Sequence, residues 1–241
     1  MQDSQLDNHF NGKYKFDIKE LTSRASQLSR ENTFAIFTSL ALMISLTILF
    51  CFVLFSVYGI ESIEQLVTSE DSGLAISFLV YNIALAPMWG GIAMMALFSA
   101  RGQKANTLMV FSFFSFLPQL GLVSVLVDTL AQLGLQMFFV PAFYVYMAST
   151  FIVPLIIDKK IHPFKAIVLS VKMTNAYLFP MALVYLIFLA LMIAGFLSLF
   201  IGFIWIIPFI YNVKAILYHD LFCVESTISS EQEEPTDIFN A

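Results

Sequence analysis

Charge is what this chain has least of. Asp, Glu, Lys and Arg make up 12% of its 241 residues, about half the share found in soluble domains. Cysteine is nearly absent: Cys51 lies in the middle of an apolar run and Cys223 beyond the last one, so no disulfide is expected between them. The residue patterns of most enzymes are missing too. There is no H-E-x-x-H pair for an intramembrane metalloprotease, no spaced aspartates to hold a metal for phosphoalcohol transfer, and no glycine-rich phosphate loop. His9, His162 and His219 have no convincing nucleophile or ligand partner. These gaps point away from an enzyme, a metal or a cofactor. The net charge of −5 gives no reason to expect a nucleic-acid partner.

What is abundant is apolar side chain, 59% of the residues, with a mean hydropathy of +0.83. A soluble fold of this length has too little interior to hide that much apolar surface. A bilayer solvates it directly, so the expected class is all-α, a polytopic membrane protein. A hydrocarbon core about 30 Å thick needs roughly 20 residues of helix. Six runs of that order are expected as spans, at about 34–58, 74–98, 108–127, 137–157, 177–197 and 199–218, within a membrane domain at 13–222. The last two meet at "AGFLSLFIGF", where Gly195 and Gly202 suit a tight hairpin, with one bent, half-inserted segment as the alternative. The first run is too long for a secretory h-region and is expected to stay as an anchor. The polar ends, 1–12 and the acidic 223–241, are expected to be disordered.

Lys and Arg set orientation. All twelve basic residues fall before span 1, between spans 2 and 3, between spans 4 and 5, or near the end of span 6. The intervening loops carry Glu61, Glu64, Glu70, Asp71 and Asp128 and no basic residue. Six spans with both termini cytoplasmic, in a bacterial inner membrane, satisfy this partition.

Two basic stretches read as amphipathic interfacial helices. At about 17–30, Asp17 can cap a helix whose Ile18, Leu21, Ala25 and Leu28 form a stripe. At 158–175, Phe164, Ile167, Val168 and Val171 share one face opposite Lys165 and Lys172. Lys159, Lys160, Lys165 and Lys172 are the candidate contacts for anionic lipid headgroups, and fixing topology is their other role. With "SARGQKANT" before span 3, the chain reads as three units of basic segment plus helical hairpin, through duplication or topology alone. Inside the spans, Asn82, Gln119 and Asn212 are the candidate polar contacts, to a substrate or between helices. Asp128 and Lys214 lie near enough to the span ends to reach water. Pro87 with Gly90 and Gly91 marks span 2 for bending and close helix approach.

The stretch "FFVPAFYVYMASTFIVPLIIDKK" followed by "PFKAIVLSVKMTNAYLFPMALV" resembles the signature of the YciC-like bacterial inner-membrane proteins. That family is related to the membrane domain that precedes some glycerophosphodiester phosphodiesterases. The likeness covers roughly residues 134–222 and rests on Pro141, Pro154, Asp158–Lys159, Ala166, Ser170 and Asn175. Ala142 stands where a glycine is usual, and Val171–Lys172 replaces an aromatic–basic pair. The resemblance implies a six-helix inner-membrane protein whose relatives mostly have no assigned activity. The function expected from the sequence is therefore a non-enzymatic role in envelope organisation, or partnership with lipids or another membrane protein. The alternative is a transporter or channel for a lipid or a small neutral solute.

Overall fold

The computed structural model describes residues 17–60, 65 and 71–222. The expected disorder at 1–12 and 223–241 lies outside the described residues, as do His9, Lys13, Lys15, Glu61, Glu64, Glu70 and Cys223. Among the described residues there are eight α-helices and no strand. They are α1 (Ile18–Tyr58), α2 (Ser72–Ala100), α3 (Leu117–Met137), α4 (Phe139–Ala148), α5 (Ile152–Asp158), α6 (Pro163–Ala176), α7 (Leu178–Leu197) and α8 (Phe203–Phe222). Two short 3-10 turns, Thr107–Phe111 and Phe114–Phe116, lead into α3.

Five stretches are long and apolar enough to cross a membrane: Ile18–Tyr58, Ser72–Ala100, Thr107–Met137, Phe139–Asp158 and Leu178–Leu197. The sixth expected span corresponds to α8, which has the length but carries Asn212, Lys214, His219 and Asp220. Its polar residues work inside the bundle. Asn212 and Tyr218 are fully buried, and α8 packs against both α1 and α2.

The segment at 17–30 is helical and begins where its cap predicts. The Asp17 carboxylate accepts from the backbone N–H groups of Lys19 (2.9 Å) and Glu20 (3.2 Å). It is not a separate interfacial helix, however. No glycine or proline interrupts residues 18–58, so one helix of 41 residues, about 60 Å long, runs on until Gly59 closes it with φ 63°. The stripe of Leu21 and Ala25 continues into Asn32, Ile36, Leu40 and Met43. That stripe is buried in the bundle, with α8 across from it at Asn32, and is not a face turned to lipid headgroups. Asn32 and Asn212 exchange hydrogen bonds across it at 2.7 and 3.0 Å, and the Asn212 amide also donates to Ser29 Oγ at 2.9 Å.

The three basic segments therefore take three different forms: a continuous helix, a turn at 101–106, and the separate helix α6. In α6 the protein-facing side is Ala166, Ser170, Met173 and Thr174. The apolar face expected to lead stays outside, with Phe164 and Val168 exposed. Small residues let the helix approach its neighbours closely, whereas Phe164 suits a lipid environment.

The glycines of span 2 mark close approach, as expected. A Cβ on Gly91 would stand 2.6 Å from Val110 Cα. Yet α2 passes Pro87 as one helix of 29 residues, and the break falls in span 4 instead. At the α7–α8 turn the left-handed residues are Leu199 (φ 52°) and Phe200 (φ 67°). Gly195 and Gly202 are needed there for space, since a Cβ on Gly195 would lie 2.5 Å from the Phe203 ring.

Ion pairs gather the basic segments at one end of the bundle. Arg24 on α1 pairs with Asp220 on α8 at 2.9 Å. Arg101, just after α2, holds Asp158 at the end of α5 with two hydrogen bonds of 2.7 and 2.8 Å. Tyr218 on α8 donates to the same carboxylate at 3.0 Å.

Candidate functional site

Helices α4 and α5 lie along one line of chain that is broken at Ser149–Phe151. Pro154 supplies the reason. It has no N–H for the Thr150 carbonyl, and its ring crowds that carbonyl out of helical geometry. Several backbone groups freed by the break are satisfied by side chains of neighbouring helices. Ser170 of α6 accepts from the Phe151 N–H (3.2 Å) and donates to the Ala148 carbonyl (2.5 Å). Tyr185 of α7 shares a hydrogen bond of 2.5 Å with Thr150 and donates to the Tyr146 carbonyl at 3.1 Å. Pro154 makes the break, Ser170 closes it, Asp158 anchors its far end to Arg101, and Asn175 accepts from Tyr144 (2.8 Å). Ala142 packs against Gly134 at the α3–α4 turn, so tightly that a Cβ on Gly134 would meet Ala142 N at 2.7 Å.

Beside the break, α2, α3, α4–α5 and α8 line a half-open cavity of about 450 Å³. Irregular backbone inside a membrane is sustained where it is buried in protein or lines such a cavity. The wall is mostly apolar, with a polar set drawn from all four directions: Asn82, Ser124, Asp128, Thr150, Tyr211 and Lys214. Trp89 and Tyr146, both about half exposed, also line it. Tyr218 lines it towards the Arg101–Asp158 end, so that ion pair and the cavity share one wall residue.

Asp128 and Lys214 are not at helix ends. Asp128 lies in the interior of α3, which continues to Met137 rather than ending near 127. Lys214 sits in the interior of α8, about one turn inward of Tyr218. Both helices run past the expected span ends at 127 and 218. Asp128 has no hydrogen bond or ion pair among the described residues. The Lys214 ammonium stands 5.6 Å over the Tyr185 ring, a cation–π contact, and it likewise has no carboxylate within ion-pair distance among the described residues. An acidic and a basic side chain thus line one mostly apolar cavity without pairing with each other.

The three polar candidates of the sequence separate. Asn82 lines the cavity. Asn212 does not, being fully buried in the α1–α8 seam. Gln119 is exposed at the start of α3 and lines neither. Lys159, Lys160, Lys165 and Lys172 are all exposed near the ion-paired end and take no part in the cavity. Among the described residues no three His, Cys, Asp or Glu side chains are grouped to hold a metal ion. Comparison of the chain with family models, with curated proteins and with solved structures finds no match. Fold and cavity define the class: a helical membrane protein with a charged site inside its bundle.

Proposed function

We propose that this chain is a six-span carrier or channel of the bacterial inner membrane, selective for a small solute with no net charge that carries its own cationic and anionic groups. The observation that supports it most is the pair Asp128 and Lys214, facing one cavity beside a broken helix. Ionisable side chains inside a membrane bundle are costly and mark solute or ion pathways. Discontinuous helices with freed backbone groups serve the same purpose in secondary transporters. A solute's ammonium would lie at Asp128 and its carboxylate or phosphate at Lys214, leaving neither charge unpaired. In this reading the chain is not an enzyme. Its likeness to the YciC-like proteins accords with the six-span count. The first expectation, a role in envelope organisation, draws support from the α1–α8 seam, where Asn212 serves packing alone. Packing, however, supplies no reason for two opposite charges inside the bundle.

The test is a thermal-shift series on the full chain in detergent, against amino acids and betaines, simple carboxylates and simple amines. At 100 times its dissociation constant, a bound solute adds about 2.7 kcal/mol to stability. Asp128→Asn and Lys214→Gln should each abolish the zwitterion-induced shift. Asp128→Asn should leave the unliganded protein at least as stable as the parent, because the carboxylate has no partner to lose and the amide carries no charge to desolvate. A protein stabilised by none of the zwitterions, or equally by them after both substitutions, would discard the carrier reading.

Orientation in this proposal has both termini cytoplasmic and an even number of crossings. Support comes from the ion pairs, which join Arg24, Arg101, Asp158 and Asp220 at one end. Cysteines introduced at Lys104 and Lys165 should both react with an impermeant maleimide only from the cytoplasmic side. Reaction of the two from opposite sides would break the six-span topology.

A further inference from the structure

A second recess lies on the outside of the bundle. Helix α7 stands away from α1, and between them, floored by α8, runs an open groove of about 820 Å³. One wall is a single face of α1: Ser26, Arg30, Phe34 and Phe37, spaced at helical repeats. Ile187 and Leu191 of α7 form the other wall, and Trp205 and Phe209 of α8 line the floor. Along this face the chemistry changes over about 16 Å, from hydroxyl and guanidinium near the ion-paired end to aromatic rings deeper in. Phe34 is 78% exposed and Trp205 62%, so the apolar part opens outward, where the bilayer would be.

Arg30 differs from its neighbours in one respect. Arg24 and Arg101 are committed to Asp220 and Asp158. Arg30 is exposed and has no hydrogen bond or ion pair among the described residues. No other lining residue of the groove is charged. It lies six positions inward of Arg24, about 9 Å further along α1, which is the level at which a headgroup phosphate would sit above acyl chains reaching Phe37. A lone guanidinium matches a phosphate by two parallel N–H donors.

We propose that this groove is a binding site for one anionic glycerophospholipid, its phosphate held by Arg30 and its acyl chains laid along Phe34, Phe37 and Trp205. A partner helix is a poorer occupant, because close helix association favours small residues and this groove is lined by four aromatic ones. The proposal needs only the membrane-crossing character of the bundle. It is independent of the solute cavity and of the exposed lysines on α6.

Trp205 reports on the site directly. The full chain carrying Trp89→Phe, so that Trp205 is the single tryptophan, is placed in phosphatidylcholine vesicles and titrated with brominated phosphatidylglycerol or brominated phosphatidylcholine. The anionic lipid should quench Trp205 with about a fivefold preference, the order expected for one basic residue at an anionic headgroup. Arg30→Gln should reduce that preference to unity while quenching by phosphatidylcholine stays the same, and Arg30→Lys should keep part of it. Ser26→Asp, which adds a carboxylate on the same exposed face, should also remove the preference and serves if Arg30→Gln does not fold. Equal quenching by both lipids in the parent protein overturns the site. So does a preference that survives Arg30→Gln and Ser26→Asp. A preference lost instead with Lys165→Gln and Lys172→Gln would move it to the surface of α6 and overturn it as well.

Discussion

Arg101→Ala should lower the stability of the bundle by about 3 kcal/mol, as read by urea or thermal unfolding in detergent. The Asp158 side chain is only 14% exposed and Arg101 24%, so removing the guanidinium strands a carboxylate that water reaches poorly. Tyr218 still donates one hydrogen bond to it, which keeps the loss at the lower end of the range for buried pairs. Asp158→Asn in the same chain should recover most of the loss, because the uncompensated charge is then gone. Arg101→Lys should fall between the two, since an ammonium cannot make both of the parallel bonds that the guanidinium makes at 2.7 and 2.8 Å. A double variant no more stable than Arg101→Ala would show that the pair is not what closes this end. The effect should reach the cavity as well, through Tyr218, which lines it.

Ser170→Ala should cost about 2–3 kcal/mol. The site is fully buried, and the substitution leaves both the Phe151 N–H and the Ala148 carbonyl without the hydroxyl that bridges them. Lost packing volume is trivial, so the cost is almost wholly that of two unsatisfied backbone groups away from water. Amide exchange at Phe151 should quicken by roughly a hundredfold, the same energy expressed as a rate ratio. Ser170→Thr retains the hydroxyl and should exchange at close to the parental rate, although its added methyl has little space. Unchanged exchange in the alanine variant would mean that the broken helix satisfies itself.

Much of this fold could be read residue by residue. Asp17 capped the helix it was expected to cap, and Pro163 opened α6, with its missing N–H harmless in a first turn. Gly90 and Gly91 announced close approach. Other features were misread for identifiable reasons. The apolar stripe at the start of α1 suits a lipid surface, yet Ala25 and Leu21 are buried in the bundle. The break in span 4 depends on Pro154 together with Ser170, which is sixteen positions away and on another helix. Pro87 has the same backbone chemistry but no comparable break, so proline alone was not a sufficient signal. The cavity lining is the least legible part: Asn82 stands out in its span, whereas Asp128 and Lys214 fall close to the span ends that hydropathy alone suggests.

Composition and the order of apolar and basic segments determined that this is a helical membrane protein and roughly where its helices run. Those properties add up locally along the chain and need no knowledge of neighbours. Only the tertiary structure decided which side chains meet: Arg24 with Asp220 but Arg30 with none among the described residues, and Asp128 with Lys214 around one cavity. In water, burial separates apolar faces from polar ones, and the periodicity records it. Here lipid and protein interior are equally apolar, so the sequence of a helix carries little record of the face it turns inward.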